Sequence, residues 1–386
     1  MHILIAPNAF KNSLTALEAA AAIQKGLYSS SLQCTSTCFP IADGGDGTAA
    51  LIIEKCGARQ VEVKVQDALG RTISSSFGLI DEGRTAVIEM AEASGLRRLK
   101  TAELNPMIAS SYGTGQLINA ALDEGVNKII IAMGGSATVD GGCGILSALG
   151  FTFLDENNQE LRPVPQELIR VKKIDLSNAD PRIACCELIV LCDVDNLLLG
   201  PEGAAAVFGP QKGADATAVD QLDQFLSRLA RIADRQFGKA MDKLKYSGTA
   251  GGAAAGLHAF INAKLVNGIE YFLDLTGFDE ELEKADLLIT GEGSLDAQTL
   301  QGKGPFGVAK RALKKNIPVI GLAGKVPLSP PAELLKYFKA LMAIGNEPAP
   351  LSEAGQNTAV NLERTAGNVA DLLNFSVTRS SNQSAT

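Results

Sequence analysis

The sequence predicts an α/β protein of two domains, in which a flavodoxin-like, doubly wound parallel sheet of strand order 2-1-3-4-5 is split by an inserted mixed α/β domain. Short apolar runs without polar alternation occur between helical stretches in both outer parts of the chain, a pattern typical of parallel strands buried on both faces. Five such strand–helix units favour the doubly wound sheet. Between them, strands with apolar–polar alternation indicate an antiparallel segment.

Each predicted outer strand is short and ends at a turn or glycine signal. The predicted strands are Ile3–Ala6, Cys38–Ala42, Asp286–Thr290, Pro318–Leu322 and Leu341–Ile344. Helical stretches fill the gaps between them. Thr15 and Glu18 form the capping-box pattern at the start of the first helix. Two further helices are predicted at Gly307–Lys315 and Leu362–Leu373.

The inserted domain begins with three alternating runs joined by short turns, at Val61–Val65, Ile73–Leu79 and Thr85–Glu89. Strand–turn–helix units follow at Lys128–Ala132 and Leu188–Cys192, and then a long amphipathic helix with apolar residues from Val219 to Ile232. The predicted division is residues 1–60 plus 281–375 for the outer domain, 61–280 for the inserted domain, and 376–386 for a frayed polar tail.

Composition excludes several classes of protein. The 386 residues include 35 basic and 43 acidic side chains, a net charge of −8 without a basic cluster, which argues against a nucleic-acid partner. No apolar stretch is long enough to span a membrane. Seven cysteines, an odd number, favour reduced thiols and a cytoplasmic protein, and with two histidines they lack the spacing of a zinc site.

Two loops that follow the first two predicted strands carry candidate ligand residues. Lys11 lies just before the capped helix start, where backbone N–H groups and the helix dipole favour an anion, although a solvated loop lysine would give the same pattern. The loop Ala42–Thr48 combines glycines with Asp43 and Asp46, which could hold a metal or a substrate hydroxyl. A plain turn with an aspartate as helix cap is the alternative.

Two loops of the inserted domain have the composition of a phosphate and metal site. Gly134–Gly144 contains five glycines and can present several N–H groups to phosphates. Cys192–Asn196 places Asp193 and Asp195 at the end of a buried strand, as in magnesium or hydroxyl sites, unless Asp195 or Asn196 only caps a helix. Lys212 lies downstream.

The fifth loop, Thr290–Thr299, follows the third strand of the outer sheet and has Lys303 beyond it. In the predicted strand order the switch point lies between strands one and three. Lys11, Glu292 and Asp296 should therefore surround one crevice. A bland alternative for Asp296 is that it caps a helix beginning near Ala297.

Familiar nucleotide motifs are missing or misplaced. The chain has no G-x-x-x-x-G-K-[ST] sequence, so it is not a P-loop enzyme. Gly302–Gly307 spells G-x-G-x-x-G, but polar residues precede it where a dinucleotide site needs a strand. A Ser-His-Asp triad is also poorly supported, because neither histidine lies in a glycine-rich loop.

Taken together, seven segments resemble the glycerate kinase family of bacterial type I, which phosphorylates the 2-hydroxyl of glycerate. They are APNAFKNSLTA, FPIADGGDGT, AVIEMAEASGL, SSYGTGQLI, GGSATVDGGCG, CDVDNLLLGPEGAAAVFGPQKGA and TGEGSLDAQTLQGK, in this order between Ile3 and Asn374. Asn8 and Ala9 stand where the family usually has an Asp-Ser pair.

The resemblance implies ATP and Mg²⁺ as cofactors and D-glycerate as the small-molecule substrate, with phosphoryl transfer in the cleft between two domains. The expected catalytic residues are Asp296, Lys11 and Asp193, with Asp193 and Asp195 as metal ligands. Asp296 is the favoured acceptor for the proton of the glycerate hydroxyl. The expected substrate- and phosphate-binding residues are Ser13, Asp43, Gly44, Gly45, Ser111, Thr114, Gly134, Gly135, Ser136, Lys212, Glu292 and Lys303.

Other functions stay open at this point. The enzyme could form 3-phosphoglycerate or phosphorylate another small hydroxy acid. A non-catalytic glycerate-binding regulator would share the fold, and the changes at Asn8 and Ala9 favour that alternative. The sequence leaves a homodimer open as well.

Overall fold

The computed structural model describes residues 1–347 and 355–383, with side chains throughout except at residues 375–383. The strands in this part of the chain are β1 (His2–Ile5), β2 (Thr35–Cys38), β3 (Arg59–Gln66), β4 (Thr72–Ile80), β5 (Thr85–Glu89), β6 (Lys128–Ala132), β7 (Thr152–Leu154), β8 (Lys173–Asp175), β9 (Glu187–Cys192), β10 (Lys264–Asn267), β11 (Leu287–Ser294), β12 (Val319–Lys325) and β13 (Ala340–Ala343).

The α-helices of the same residues range from one turn to seven turns. They are α1 (Ala16–Tyr28), α2 (Thr48–Lys55), α3 (Ala91–Ser94), α4 (Tyr112–Asp123), α5 (Cys143–Ala148), α6 (Pro165–Leu168), α7 (Ala204–Phe208), α8 (Ala216–Phe237), α9 (Ala253–Ile261), α10 (Gly268–Leu275), α11 (Phe278–Leu282), α12 (Gly304–Lys314), α13 (Ala332–Tyr337) and α14 (Thr358–Gln383). Short 3₁₀ helices include Ala297–Gln301, so the G-x-G-x-x-G match does follow a polar 3₁₀ turn rather than a strand.

The first sheet is parallel and has the order β13-β12-β11-β1-β2. Numbered within this sheet, that is the predicted order 2-1-3-4-5. The Ile, Leu and Val side chains of its three central strands are buried on both faces, which is why a short apolar run marked each of these strands in the sequence. The predicted flavodoxin-like arrangement is confirmed.

The predicted second strand, Cys38–Ala42, is wrong in position, because β2 covers Thr35–Cys38. Residues 39–42 are buried and continue beside β1. The N–H of Phe39 donates to the carbonyl of Ile5 (2.7 Å), and that of Ile41 donates to the carbonyl of Pro7 (3.0 Å). Pro40 and Pro7 have no N–H to donate, so the regular ladder ends there although the apolar run goes on.

The second sheet is mixed and has the order β10-β9-β6-β5-β4-β3. Strands β3, β4 and β5 pair antiparallel, as their alternation predicted, and β5, β6, β9 and β10 pair parallel. The short antiparallel pair β7–β8 and the edge strand β10 were not predicted. The inserted mixed α/β architecture is confirmed.

By its contacts, the chain divides after Asp43 and after Gly268, whereas the sequence predicted divisions near residues 60 and 280. Helix α2 accounts for the first difference, because it packs against β4, β5 and β6 of the second unit. Arg311 accounts for the second. Its buried guanidinium on α12 donates to Glu270 (2.9 Å), Asp274 (2.6 Å) and Asp279 (3.0 Å), which ties α10 and α11 to the first unit.

Each unit has its own apolar core. The core of the second unit includes the inner face of α8, where Leu222, Phe225, Leu226 and Leu229 are fully buried as the helical register predicted. The core of the first unit lies between its sheet and the pair of helices α1 and α14. Helix α14 extends to Gln383, into the segment predicted as a tail, and the last three residues lie outside the described part of the chain.

Helix α1 begins with the predicted capping box, in which Thr15 and Glu18 bond to each other's backbone. Near its end, Gly26 lies against the backbone of α14. A Cβ at Gly26 would be 2.1 Å from the carbonyl oxygen of Glu363, far inside contact distance. Gly367, on the facing helix, has room, since its nearest such contact would be 3.4 Å.

Gly26→Ala is therefore expected to destabilise the protein by about 1–3 kcal/mol, because α1 and α14 must move apart. Gly367→Ala is the matched control, and it should be neutral or stabilise by up to about 1 kcal/mol through helix propensity. Denaturant unfolding of both variants measures the difference. Equal effects of the two substitutions would contradict the close packing at Gly26.

Candidate functional site

Polar side chains of the first unit collect at the carboxyl ends of β1, β2 and β11. The Asn8 backbone N–H donates to the carbonyl of Gly291 (2.8 Å), and its side-chain amide donates to the Asp43 carboxylate (2.9 Å). The same Asp43 oxygen accepts a long bond from the N–H of Gly304, the first residue of α12 (3.4 Å). The loop after β1 thus meets the segment after β11, as the strand order predicted, and Asn8 makes this contact.

Lys11 and Ser13 lie on a tight turn beyond Asn8. The turn closes through paired backbone bonds between Phe10 and Leu14. The Lys11 ammonium is exposed and forms no hydrogen bond or ion pair with residues that the structure describes. The Ser13 hydroxyl donates to the carbonyl of Gly355. The structure leaves Lys11 accessible to an anion in solution.

Glu292 is the most deeply buried acid of this group, with 7 % of its surface exposed. Burial is the main cause that raises its pKa to about 8; the nearby Asp43 and Asp296 carboxylates raise it further, and Lys303 opposes them. The Lys303 ammonium is 3.9 Å from Oε1, which is too far for a hydrogen bond. Oε1 accepts no hydrogen bond from any described residue.

Asp296 caps the 3₁₀ helix that begins at Ala297, which is the alternative that the sequence left open. One carboxylate oxygen accepts from the N–H of Gln298 (2.9 Å), and the other accepts from the hydroxyl of Ser294 (2.8 Å). Burial raises the pKa of Asp296, but these hydrogen bonds and the neighbouring lysines outweigh it, so the pKa is lowered. Asp296 is therefore ionised at neutral pH.

In the second unit, the loop after Asp43 and the glycine-rich loop after β6 lie side by side. The N–H of Gly134 donates to the carbonyl of Gly44 (3.1 Å). A Cβ at Gly134 would be 2.4 Å from Gly45, so this approach requires glycine. Gly135 has a left-handed φ of +70°. Four of the predicted ligand residues are thus brought together.

Glu89, at the end of β5, holds the first of these loops and was missed in the sequence. Its carboxylate accepts from the N–H groups of Gly47 (2.6 Å) and Ala49 (3.1 Å), at the start of α2. Burial, followed by a hydrogen bond shared with Asp46, raises the pKa of Glu89 to about 8. Arg97 pairs with Asp46 at 2.9 Å. The only signal in the sequence was an acid at the end of an apolar strand.

Asp140 organises the glycine-rich loop. It is fully buried, and it accepts from the N–H and the hydroxyl of Ser111 (2.8 and 2.7 Å) and from the N–H groups of Gly142 (3.1 Å) and Gly144 (3.2 Å). Burial raises the pKa of Asp140, and these hydrogen bonds lower it by less than burial raises it. Ser111 is therefore part of the loop's scaffold. Thr114 is equally buried and pairs with the hydroxyl of Ser94 (2.8 Å).

Lys212 reaches the same loop from the segment after α7. Its ammonium donates to the Ser136 hydroxyl (2.9 Å) and to the carbonyl of Thr138 (2.7 Å). Burial lowers the pKa of Lys212 to about 7, although Asp140 and Asp193 act in the opposite direction. Lys212 thus contacts Ser136 and lies within electrostatic range of Asp193, and all three are residues that the sequence proposed as ligands.

Asp193 and Asp195 follow β9, and Asp193 is half-buried whereas Asp195 is exposed. Neither is a helix cap, because α7 begins only at Ala204 with Gly203 before it. The loop is held by the segment before α9, where the Thr249 hydroxyl donates to the carbonyl of Val194 (3.3 Å). Within the described ranges, no group of three or more His, Cys, Asp or Glu side chains could hold a metal ion.

Asp140→Asn is expected to destabilise the protein by about 2–4 kcal/mol, because an amide NH₂ would face N–H donors that now bond a buried carboxylate. Asp220→Asn, on an exposed position of α8, is the control and should change stability by less than about 0.5 kcal/mol. Thermal or denaturant unfolding measures both. A stable Asp140→Asn variant would show that the loop does not depend on this carboxylate.

Comparisons with known proteins agree on one family. The sequence model of the glycerate kinase family matches residues 3–374. A glycerate kinase of Bacillus subtilis (strain 168) is 44 % identical over 96 % of this chain and 97 % of its own length. A glycerate 2-kinase of Escherichia coli (strain K12) is 38 % identical over 97 % of this chain and 98 % of its own.

A solved structure agrees with these sequence matches. A crystal structure of a protein from Salmonella typhimurium LT2 matches 98 % of this chain and 99 % of its own, with a TM-score of 0.80 and 40 % identity. The family model alone spans nearly the whole chain. The chain therefore belongs to the glycerate kinase family, a family of kinases.

Proposed function

We propose that this protein transfers a phosphoryl group from ATP to D-glycerate and forms 2-phosphoglycerate. The observation that carries the proposal is the full-length match to the family, which includes an E. coli relative named glycerate 2-kinase. The glycine-rich loop with its buried lysine supports it, since phosphoryl transfer needs N–H groups and a cation for phosphate oxygens.

The phosphate-binding part of this proposal rests on the second unit. Gly135 and Ser136 are proposed to supply backbone and hydroxyl donors next to the Lys212 ammonium, while the N–H of Gly134 stays on the Gly44 carbonyl and holds the loop in place. Because Lys212 is buried, its charge is poorly solvated and gains much from an added anion. Gly44 and Gly45 pack beside this loop and keep it in place for the nucleotide.

Asp193 and Asp195 are the proposed ligands of Mg²⁺. Magnesium usually binds through one or two protein carboxylates together with phosphate oxygens and water, so two carboxylates after β9 fit it without a larger acidic cluster. Bound there, the ion would neutralise phosphate charge during the transfer.

In the first unit, Asp296 is the proposed proton acceptor for the glycerate hydroxyl, and Lys11 and Lys303 are proposed to attract the anionic groups. Ser13 is proposed to join them as a donor by giving up its bond to the Gly355 carbonyl. A low pKa suits an acceptor that orients the hydroxyl and takes its proton late, because phosphoryl transfer has a loose transition state. Asp43 is proposed to contact the substrate from the end of β2.

A coupled assay for ADP release tests the reaction. We expect turnover that requires both D-glycerate and Mg²⁺, and phosphorus NMR of the product should show the 2-phosphate. A 3-phosphate product would show that the proposed position of phosphorylation is wrong. A preference for lactate, tartronate or hydroxypyruvate in the same assay would show that the proposed substrate is wrong. Glycerate binding in a calorimeter without ADP formation under any metal would instead support a regulator.

Asp296→Asn is expected to lower kcat by about 10²-fold or more, because the variant cannot accept the proton. Stability should change little, since asparagine caps helices as well as aspartate does. Asp215→Asn makes the same change at the cap of α8 and should keep both activity and stability. If Asp296→Asn keeps a near-normal kcat, Asp296 serves only as a helix cap. Asp193 is then the next candidate for the proton acceptor.

Location and assembly are proposed from the sequence. Seven cysteines, an odd number, favour reduced thiols and hence the cytoplasm. Among the described residues, no helix has the length and apolar character needed to cross a membrane. A homodimer is proposed as the state to test by light scattering.

A further inference from the structure

We propose that Glu292 acts in its neutral acid form, donating a hydrogen bond from Oε1 to an anionic oxygen of the ligand while Lys303 pairs with the same anion. This inference rests on the proposed function and deepens it, because it assigns a recognition role at the carboxyl end of β11. The anionic oxygen belongs either to the carboxylate of the hydroxy acid or to a phosphate group.

The first argument is geometric. Glu292 is buried, and its Oε1 accepts no hydrogen bond from the described residues, although a buried carboxylate normally has several donors. An ionised oxygen in that position would carry a large desolvation cost. A protonated oxygen is a donor instead, and it lacks only an acceptor. An anionic ligand supplies that acceptor.

The second argument is the charge of the surroundings. The groups that face Glu292 are the carboxylates of Asp43 and Asp296, the ammonium of Lys303 and the amide of Asn8. Lys325, which also acts on Asp296, adds a second positive charge nearby. The two negative charges of the carboxylates and the two positive charges of the ammonium groups cancel. With Glu292 neutral, the cluster therefore carries no net negative charge that would repel an anion. An ionised Glu292 would repel it.

The third argument is access. The Lys303 side chain is 35 % exposed, and its ammonium is 3.9 Å from Oε1 without bonding to it. Lys303 immediately precedes α12, whose first N–H points toward Asp43. The Lys303 side chain is only partly buried, so its ammonium can turn toward an incoming anion and bond it beside Oε1. The raised pKa of Glu292 agrees with the neutral form at pH 7.

The experiment compares Glu292→Gln with Glu292→Leu. Glutamine is neutral and donates, so Glu292→Gln should keep kcat and KM within about threefold at pH 7. Leucine cannot donate, so Glu292→Leu should raise one KM about 10- to 100-fold. A rise in the KM for glycerate identifies the carboxylate as the bound anion, and a rise in the KM for ATP identifies phosphate. Glu333→Gln, an exposed residue paired with Lys336, is the matched control.

The pH dependence gives an independent readout. In the wild type, affinity for the anion should fall about tenfold per pH unit above the pKa of about 8, as Glu292 loses its proton. Glu292→Gln should lose this part of the pH dependence. For ADP, a fall caused by loss of the Lys212 proton, whose pKa is about 7, remains in both proteins. Calorimetric titration with D-glycerate and with ADP, at pH 7 and pH 9, measures this without turnover and keeps the test valid if Glu292→Leu fails to fold.

Thermal unfolding adds a test of the neutral form itself. Glu292 binds its proton more tightly in the folded protein, where its pKa is about 8, than in the unfolded chain, where its pKa is near 4.5. Its contribution to stability therefore decreases as the pH rises from about 4.5 to about 8. Glu292→Gln has no such titration. Its Tm should therefore rise relative to the wild type between pH 6 and pH 9.

Two results would overturn the proposal. A loss of kcat of about 10²-fold in Glu292→Gln, with KM unchanged, would make Glu292 a proton acceptor. The same pH dependence of binding in wild type and Glu292→Gln would show that another group titrates. If the wild type binds an anion with this pH dependence but releases no ADP, the recognition site stands and the proposed kinase function fails.

Discussion

The buried carboxylate of Asp140 holds the glycine-rich loop of the second unit in one conformation, and the candidate phosphate site depends on it. Five glycines in eleven residues would give a free loop many conformations. Asp140 removes that freedom by accepting bonds from Ser111, Gly142 and Gly144, and its charge also attracts Lys212. The backbone of the loop is therefore fixed before any ligand arrives, which reduces the entropy lost on binding.

The two buried glutamates at strand ends show how similar burial can serve different purposes. Glu89 and Glu292 both have a pKa raised to about 8, chiefly by burial. Glu89 uses its oxygens to bond Gly47 and Ala49, so its role is to fix a helix start. Glu292 keeps one oxygen without a donor among the described residues. The hydrogen-bond partners, rather than the pKa, separate a positioning residue from one that faces a ligand.

The sheet order could be predicted because apolar runs and the rule for parallel connections are local and general. The second strand was misplaced because its pairing depends on which residues can donate, and Pro40 cannot. The glycine-rich loops were found by composition alone. Glu89 and the Asn8–Asp43 contact were not found, because they join residues 42 and 35 positions apart. Such partners become visible only when the strands are set side by side.

The order of the strands along the chain has a consequence for biosynthesis. In the first sheet β1 pairs with β11, and Ile3 lies opposite Leu287. A ribosome releases β1, α1 and β2 long before their central neighbour exists, while residues 44–268 can collapse as a unit once complete. The apolar surface of β1, α1 and β2 therefore stays exposed until β11 has been made. Pairing β1 with β11 closes a loop of more than two hundred residues, and closing so large a loop is slow. Prior folding of the inserted unit shortens the distance that this closure has to cover.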